Sequence, residues 1–407
     1  MRATSLLKSI LRLKKTRILD VAPQEDGLVV EVAPSGRVPR CSGCGCRARR
    51  LYDRRRRSWR HLDVGSLMVV LRYDLRRVDC RTCGVRAEMV PWADHDARFT
   101  REFEQLVGYL AQNASKTVVA SMMRIAWETV GSVVGRLVDR LRPGDVLDDL
   151  DEIGIDELSY RKHHEYVTIV VDHRRGRIVW ARPGKSAETV GHFFEALGAE
   201  RSARLQRVSI DMSGAYQKAV RMGAPNAEVV FDRFHVQRLV HDALDQLRRD
   251  EVREVVDPEA ARALKRTRWA LQKRAWNLTD IEHHKLADVQ RTNRRLYRGH
   301  MLKETFAAIL DGDGGPAEPQ LRSWIGWALR SRLRPFTKVA ATVREHLEGI
   351  LAYCRTGLSN GPVEALNGKA RTITRRSYGF HGPNSLIAML FLCCGGIRLT
   401  PPHAVHP

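Results

Sequence analysis

The sequence predicts a mixed α/β core that is split by a long helical insertion and preceded by two small modules, one bearing cysteine pairs and one helical. Three observations carry that expectation. Three short apolar runs each end in an acidic residue, Ile153-Gly154-Ile155-Asp156-Glu157, Val208-Ser209-Ile210-Asp211 and Glu228-Val229-Val230-Phe231-Asp232, and strand- and helix-period segments alternate around them. Residues 235–354 read as helix throughout, broken by Asp311-Gly312-Asp313-Gly314-Gly315-Pro316. Two Cys-x₂-Cys pairs, Cys41/Cys44 and Cys80/Cys83, bracket a stretch of strand period.

The first module spans residues 1–95. A short helical pattern (Leu6, Leu7, Ile10, Leu11) precedes the strand-length run Leu28 to Ala33, and Leu67 to Val78 reads as a further strand. Each cysteine pair puts two thiolates on one tight knuckle, with Gly43 and Gly84 permitting the turn, so two knuckles supply a closed four-thiolate zinc site. Cys46 and His61 are alternative ligands. Eight cysteines could form disulfides, but the spacing and the expected cytoplasmic location favour zinc. Arg54-Arg55-Arg56-Arg57 falls between the knuckles and reads as a solvated loop or a phosphate-contacting edge.

Residues 96–147 hold two expected helices over Thr117 to Leu137, broken near Arg124 to Ala126, which outlines a helix-turn-helix without the usual turn glycine. Val118, Val119, Met122 and Met123 are expected to line the first helix, and Val130, Val133, Val134, Leu137 and Val138 the second. Pro143-Gly144 ends the pair. The core then occupies residues 148–234 and 355–400, in the order β-β-β-α-β-α-β, with the insertion at 235–354. Adjacent strands ending at one edge bring Asp156 and Asp211 together, and two such carboxylates call for a divalent cation between them. Asp311-x-Asp313 resembles part of a calcium loop but lacks the later ligands, so it reads as a flexible loop.

Ser359 to Arg371 opens a helix: Ser359 or Asn360 is a suitable N-cap and Pro362 suits the first turn. Glu364, Asn367 and Arg371 share its polar face, beside an apolar side of Val363, Leu366 and Ala370.

At 407 residues the chain can hold two or three domains. A net charge of +22 and a pI of about 10.1 exceed what solubility needs and point to a polyanion, with nucleic acid the default. No apolar run is long enough to span a bilayer and no signal peptide opens the chain, which excludes a membrane-spanning function class and leads us to expect a cytoplasmic, nucleoid-associated protein.

Taken together and in order, the two Cys-x₂-Cys pairs, the helix-turn-helix-like pair, Gly154-Ile155-Asp156-Glu157, Ser209-Ile210-Asp211-Met212, Phe231-Asp232-Arg233-Phe234-His235 and Ser359-Asn360-Gly361-x-x-Glu364-x-x-Asn367 resemble the ISL-three group of DDE transposases, from about Cys41 to Phe391. The resemblance implies an RNase H-like core with a helical insertion before the last carboxylate, and a catalytic triad of Asp156, Asp211 and Glu364. Asp156 would bridge two Mg²⁺ (or Mn²⁺) ions, with Asp211 and Glu364 holding one each, while Asp232 and Asn367 are auxiliary candidates. The activity implied is binding of insertion-sequence ends followed by DNA cleavage and strand transfer. A nuclease without strand transfer and a non-catalytic DNA-binding regulator are the alternatives. Arg54 to Arg57, Lys369 and Arg371 are the expected phosphate contacts, on terminal inverted repeats and target DNA. A homodimer or higher oligomer on DNA is expected.

Overall fold

The computed structural model describes residues 3–48, 50–161, 165–358, 361–377 and 382–401. The chain forms two compact units, Met1–Arg142 with Phe391–Pro407, and Pro143–Leu390.

In the first unit, α1 (Ala3–Leu11) leads into a five-stranded sheet of β1 (Thr16–Gln24), β2 (Gly27–Pro34), β3 (Leu51–Val64), β4 (Leu67–Cys80) and β5 (Gly84–Ala87), ordered β1-β2-β4-β3 with β5 also on β4. Its core gathers Val30, Val32, Trp59, Val69, Leu71 and Trp92, the two indoles edge to face at 5.5 Å. The arginine run is not a loop. Arg54 to Arg57 lie within β3, paired antiparallel with Arg76 to Tyr73 of β4. Both strand faces carry arginine there, so the period-2 signal emerges only at buried Trp59 and His61.

The helices α2 (Arg101–Asn113), α3 (Lys116–Met123) and α4 (Trp127–Leu141) complete this unit. Thr100 and Ser115 cap α2 and α3 through their hydroxyls. The turn that lacks glycine is made by Arg124 in the left-handed region (φ 52). That conformation costs a non-glycine residue roughly 1–2 kcal/mol, and the Arg124 guanidinium offsets it by pairing with Asp63 and donating to the Ser66 carbonyl. All five residues expected to line α4 are buried. On α3 only Val119 and Met123 are; Val118 and Met122 stay 46% and 62% exposed, because a helix this short turns only one narrow side inward.

The second unit is built on β6 (Glu152–Arg161), β7 (Glu165–Asp172), β8 (Arg177–Pro183), β9 (Arg207–Ile210) and β10 (Glu228–Phe231), ordered β10-β9-β6-β7-β8. β6, β7 and β8 are antiparallel neighbours, whereas β9 runs parallel to both β6 and β10. Two helices, α5 (Ala187–Leu197) and the single turn α6 (Ala199–Ser202), cross from β8 to β9, and α7 (Gly214–Gly223) crosses from β9 to β10. The insertion comprises α8 (Arg233–Glu254), α9 (Pro258–Lys265), α10 (Arg268–Gln272), a 3₁₀ turn at Ala275–Asn277, α11 (Asp280–Thr292), α12 (Arg294–Asp311), α13 (Ala317–Arg330), α14 (Arg334–Glu345) and α15 (Leu347–Thr356). Then come α16 (Gly361–Arg376), which packs on β6, and α17 (Pro383–Cys394). One continuous apolar core runs from Ile153 and Val208 in the sheet to Phe306, Trp324 and Phe336 in the insertion.

Two local expectations change. The strand through Asp156 does not end there: β6 continues to Arg161 because β7 pairs with it to its end. Asp311 is not in a flexible loop. It closes α12 and receives both Arg233 and Arg274.

Candidate active site and metal centre

The acidic site follows from strand register. Gly154 of β6 stands opposite Ser209 of β9, and Ile210 opposite Phe231 of β10. Carrying each pairing onward by one or two residues sets Asp156, Asp211 and Asp232 in one row, just past the end of the parallel ladder, although Asp156 stays paired with Ile169 of β7. This lip of parallel strands is where open α/β sheets bind ligands.

Each carboxylate is oriented. The backbone N–H of Glu157 donates to Asp156 Oδ1 at 2.8 Å, and that of Ser213 to Asp211 Oδ1 at 2.9 Å. His235, on the first turn of α8, meets the buried Asp232 carboxylate through Nδ1 at 2.9 Å. Asn367 reaches Asp156 from α16: its Nδ2 donates to Oδ2 at 2.6 Å. Glu364 lies one turn earlier on that helix and is exposed. Gly154 lets the helix come close, since a Cβ there would sit 2.6 Å from Val363 Cγ2 and 2.8 Å from His173 Nε2. Val363, Leu366 and Ala370 are buried as the helical pattern required. The expected caps Ser359 and Asn360 lie outside the described residues.

The charges feel one another. Burial, with Asp211 adding to it, pushes the Asp156 carboxyl above the ordinary range. Burial and then the charge of Asp232 do the same for Glu364. The hydrogen bond to Asp232 raises His235, helped by Asp156 and Asp211. Asn367 is 5% exposed, yet its Oδ1 meets no donor among the described residues. Crowded carboxylates that resist ionisation, beside an unused carbonyl oxygen, suit divalent cations carrying bound water. Sequence reasoning missed His235 as a partner of the row, although it lies in the Phe231 to His235 motif, three residues beyond Asp232 on a helix.

The thiolate site is tighter. The Sγ atoms of Cys41, Cys44, Cys80 and Cys83 all lie within 4.8 Å of one another, the one such group of ligand side chains among the described residues. A tetrahedral ion with Zn–S bonds of about 2.3 Å needs sulfurs about 3.8 Å apart, and Cys44 and Cys80 are at 3.5 Å. Backbone N–H groups of Thr82 and Cys83 pull Cys80 down to about 7, whereas hydrogen bonding with Cys44 and burial push Cys83 up to about 12. Neither alternative ligand takes part. Cys46 is exposed outside the group, and His61 is buried against Thr100 Oγ1 (2.8 Å) and the Leu11 carbonyl, its pKa lowered to about 4 by burial.

The expected phosphate contacts divide. Arg56 is committed to Glu31 and Asp74, and Arg57 to Asp96 and the face of Trp59. Arg54, Arg55, Lys369 and Arg371 are exposed.

Residues 153–390 match a family described as transposase, residues 88–138 the helix-turn-helix domain of transposase family ISL3, and residues 37–83 the zinc finger of transposases IS204/IS1001/IS1096/IS1165. Similar curated proteins include the transposase for insertion sequence element IS1557 of Mycobacterium tuberculosis, 39% identical over 99% of this chain and 98% of the relative. The transposase for insertion sequence element IS1001 of Bordetella parapertussis is 30% identical over 88% of this chain and 90% of the relative. No helix among the described residues is long and apolar enough to cross a membrane.

Proposed function

The chain belongs to the ISL3 family of transposases, enzymes acting on DNA, and from that premise we propose that Asp156, Asp211 and Glu364 are its catalytic triad. The observation that carries this is the register row: it draws Asp156 and Asp211 to one sheet lip, and Asn367 ties the Glu364 helix to the same Asp156 carboxylate. Two divalent cations, Mg²⁺ or Mn²⁺, held by the triad would supply activation of water or a DNA 3′-hydroxyl and stabilisation of the leaving oxygen. The protein's own contribution is orientation. Backbone N–H groups fix Asp156 and Asp211, Asn367 holds Asp156 from the opposite side, and buried Asp232 with His235 closes the row as auxiliary groups.

In this reading the first unit grips the transposon ends. Its zinc-bound ribbon holds Arg54 and Arg55 on an exposed strand, α4 enters a groove as the recognition helix, and Lys369 and Arg371 meet phosphates beside the triad. Domain limits at 1–95, 96–147 and 148 onward, with the insertion at 235–354, go with these roles. Assembly of two or more copies on paired ends, at the nucleoid, follows from the need to join two ends to one target.

A strand-transfer assay with candidate 3′-OH donor ends and supercoiled target tests the proposal. Wild-type protein with Mg²⁺ is expected to give joined products, Glu364→Ala none, and Glu348→Ala, a nearby acidic control, wild-type amounts. Nicks without joining would replace the transposase chemistry by hydrolysis, and equal activity of the two variants would remove Glu364 from the triad.

A further inference from the structure

The ribbon and the helical pair meet at one carboxylate. Asp63 lies at the tip of the β3–β4 hairpin, where Val64 pairs with Leu67 across a turn made by Gly65 (φ 61) and Ser66. Its Oδ1 is 2.6 Å from Nη2 of Arg60. Its Oδ2 accepts from Nη2 of Arg124, whose Nη1 also donates to the Ser66 carbonyl at 3.1 Å. Arg60 is itself rooted in α2: its guanidinium lies over the Phe103 ring at 5.7 Å, and its backbone exchanges hydrogen bonds with Arg98 and with Thr100, the α2 cap. Arg124 closes α3 in the left-handed region, with the Ile125 N–H returning to the Ala120 carbonyl at 3.0 Å, and α4 begins at Trp127. One acidic side chain thus joins the hairpin, the start of α2 and the turn before α4.

We propose that Asp63 and Arg124 are positioning residues for recognition of the transposon end: they clamp the turn of the helix-turn-helix to the tip of the ribbon hairpin, so that α4 and the ribbon arginines meet DNA as one rigid body. Arg55 stands eight residues back from Asp63 along β3, roughly 26 Å at the rise of a strand. A major groove is only about 12 Å wide, so the first turn of α4, beside the hairpin tip, and the exposed Arg54 and Arg55 touch separate stretches of duplex. Two contacts that far apart reinforce one another only while the spacing between them is fixed; a loose joint lowers the effective concentration of one for the other. A purely local role, offsetting the left-handed turn, would need neither Asp63 nor the hairpin, because glycine at position 124 would serve. The inference rests on the reading of α4 as recognition helix and of Arg54 and Arg55 as phosphate contacts, and it deepens that reading by saying what sets the distance between them.

The test compares footprints. Full-length, zinc-loaded protein is bound, without added Mg²⁺, to a duplex carrying the inverted repeat that flanks its coding gene and to a mixed-sequence duplex of the same length. Hydroxyl-radical footprints of wild-type protein on the repeat are expected to show two protected patches at one fixed separation. Arg124→Gly suits the left-handed turn and should keep zinc and fold. It should nevertheless lose the ribbon patch and bind the repeat about tenfold more weakly, with the mixed-sequence duplex held within about twofold. Asp63→Ala should give the same footprint and the same loss. Because Asp63→Ala keeps the Arg124 charge, a direct phosphate contact by Arg124 would show instead as tighter binding in Asp63→Ala and weaker binding in Arg124→Gly on both duplexes. That outcome, footprints unchanged in both variants, or a single wild-type patch would each overturn the clamp. Failure of the end-binding reading would show separately, as wild-type protein that binds the repeat and the mixed-sequence duplex alike, and the clamp would fall with it.

Discussion

The thiol cluster and the acidic row of this molecule are assembled in opposite ways. The four thiols come from two short knuckles, Cys41–Cys44 and Cys80–Cys83, joined through one sheet, and they converge to within 4.8 Å. The carboxylates come from β6, the end of β9 and a helix on the far side of a long insertion, and among the described residues they form no comparably tight group. The difference is one of charge and solvent. Thiols carry less charge than carboxylates before metal binds, even with Cys80 drawn down to about 7, so they tolerate close approach, and their site closes around one ion as part of folding. Carboxylates repel and prefer water, so theirs must be held half-open by scaffold, which is what a site for DNA and exchangeable cations needs.

The comparison breaks most sharply under paired substitution. Asp211→Ala should cut Mg²⁺-dependent joining by about 10³-fold or more while bound zinc and the affinity for transposon ends persist. Cys41→Ser should do the reverse to the first unit, losing about one equivalent of zinc and with it end binding, while spectra of the second unit stay unchanged. Metal analysis and a binding titration on the same preparations decide this; zinc at one equivalent in Cys41→Ser would remove the four-thiolate site.

Asn367 sharpens the point that the acidic site depends on its scaffold. Asn367→Ala leaves the three carboxylates in place but frees Asp156, and activity is expected to fall about 10–100-fold, with more Mg²⁺ needed for half-maximal rate. A loss that saturating Mg²⁺ leaves wholly unchanged would count against a positioning role.

The smallest effect is on stability. Burial and Asp211 raise the Asp156 pKa, so the folded, Mg²⁺-free protein still holds a proton that the unfolded chain releases above about pH 4. Stability therefore falls as pH rises through the window between the ordinary and the raised value. Asp156→Asn removes that loss and keeps a polar side chain in place. At pH 7 without added divalent metal the variant is expected to be more stable than wild type, with the difference vanishing as pH falls to about 4. Chemical denaturation across that range checks it, and a less stable variant at pH 7 would mean that Asp156 is not burdened by its neighbours.

Much of this was legible in the sequence, and the gaps have physical causes. The strand and helix order of the second unit could be read because its strands are buried on both faces and so appear as plain apolar runs at Ile153, Val208 and Val229. The thiolate site was legible because its spacing is local. β3 was hidden, since arginine occupies both faces where Arg56 and Arg57 find acidic partners only in the folded sheet. β1, whose residues are mostly exposed, gave no alternating signal. Asp156 and Asp211 were paired from their strand-end positions and joined to Glu364 as a triad through resemblance, whereas the contact of Asn367 with Asp156 and the Arg233–Asp311–Arg274 bridge join residues far apart in sequence, and no local pattern announces them.

The helical insertion leaves and rejoins the core beside a single strand. α8 starts at the residue after Asp232, and α15 returns to pack on β10, with Gly349 so close to the Phe231 ring that no side chain would fit between them. Because both ends are fastened side by side, the span to be closed is set by that strand and not by the length of what hangs from it. Doubling such a segment adds only about 0.6 kcal/mol of closure cost. The core can therefore accept longer, shorter or differently folded inserts at this point and keep its acidic row in register, so that the insertion can vary without rebuilding the sheet.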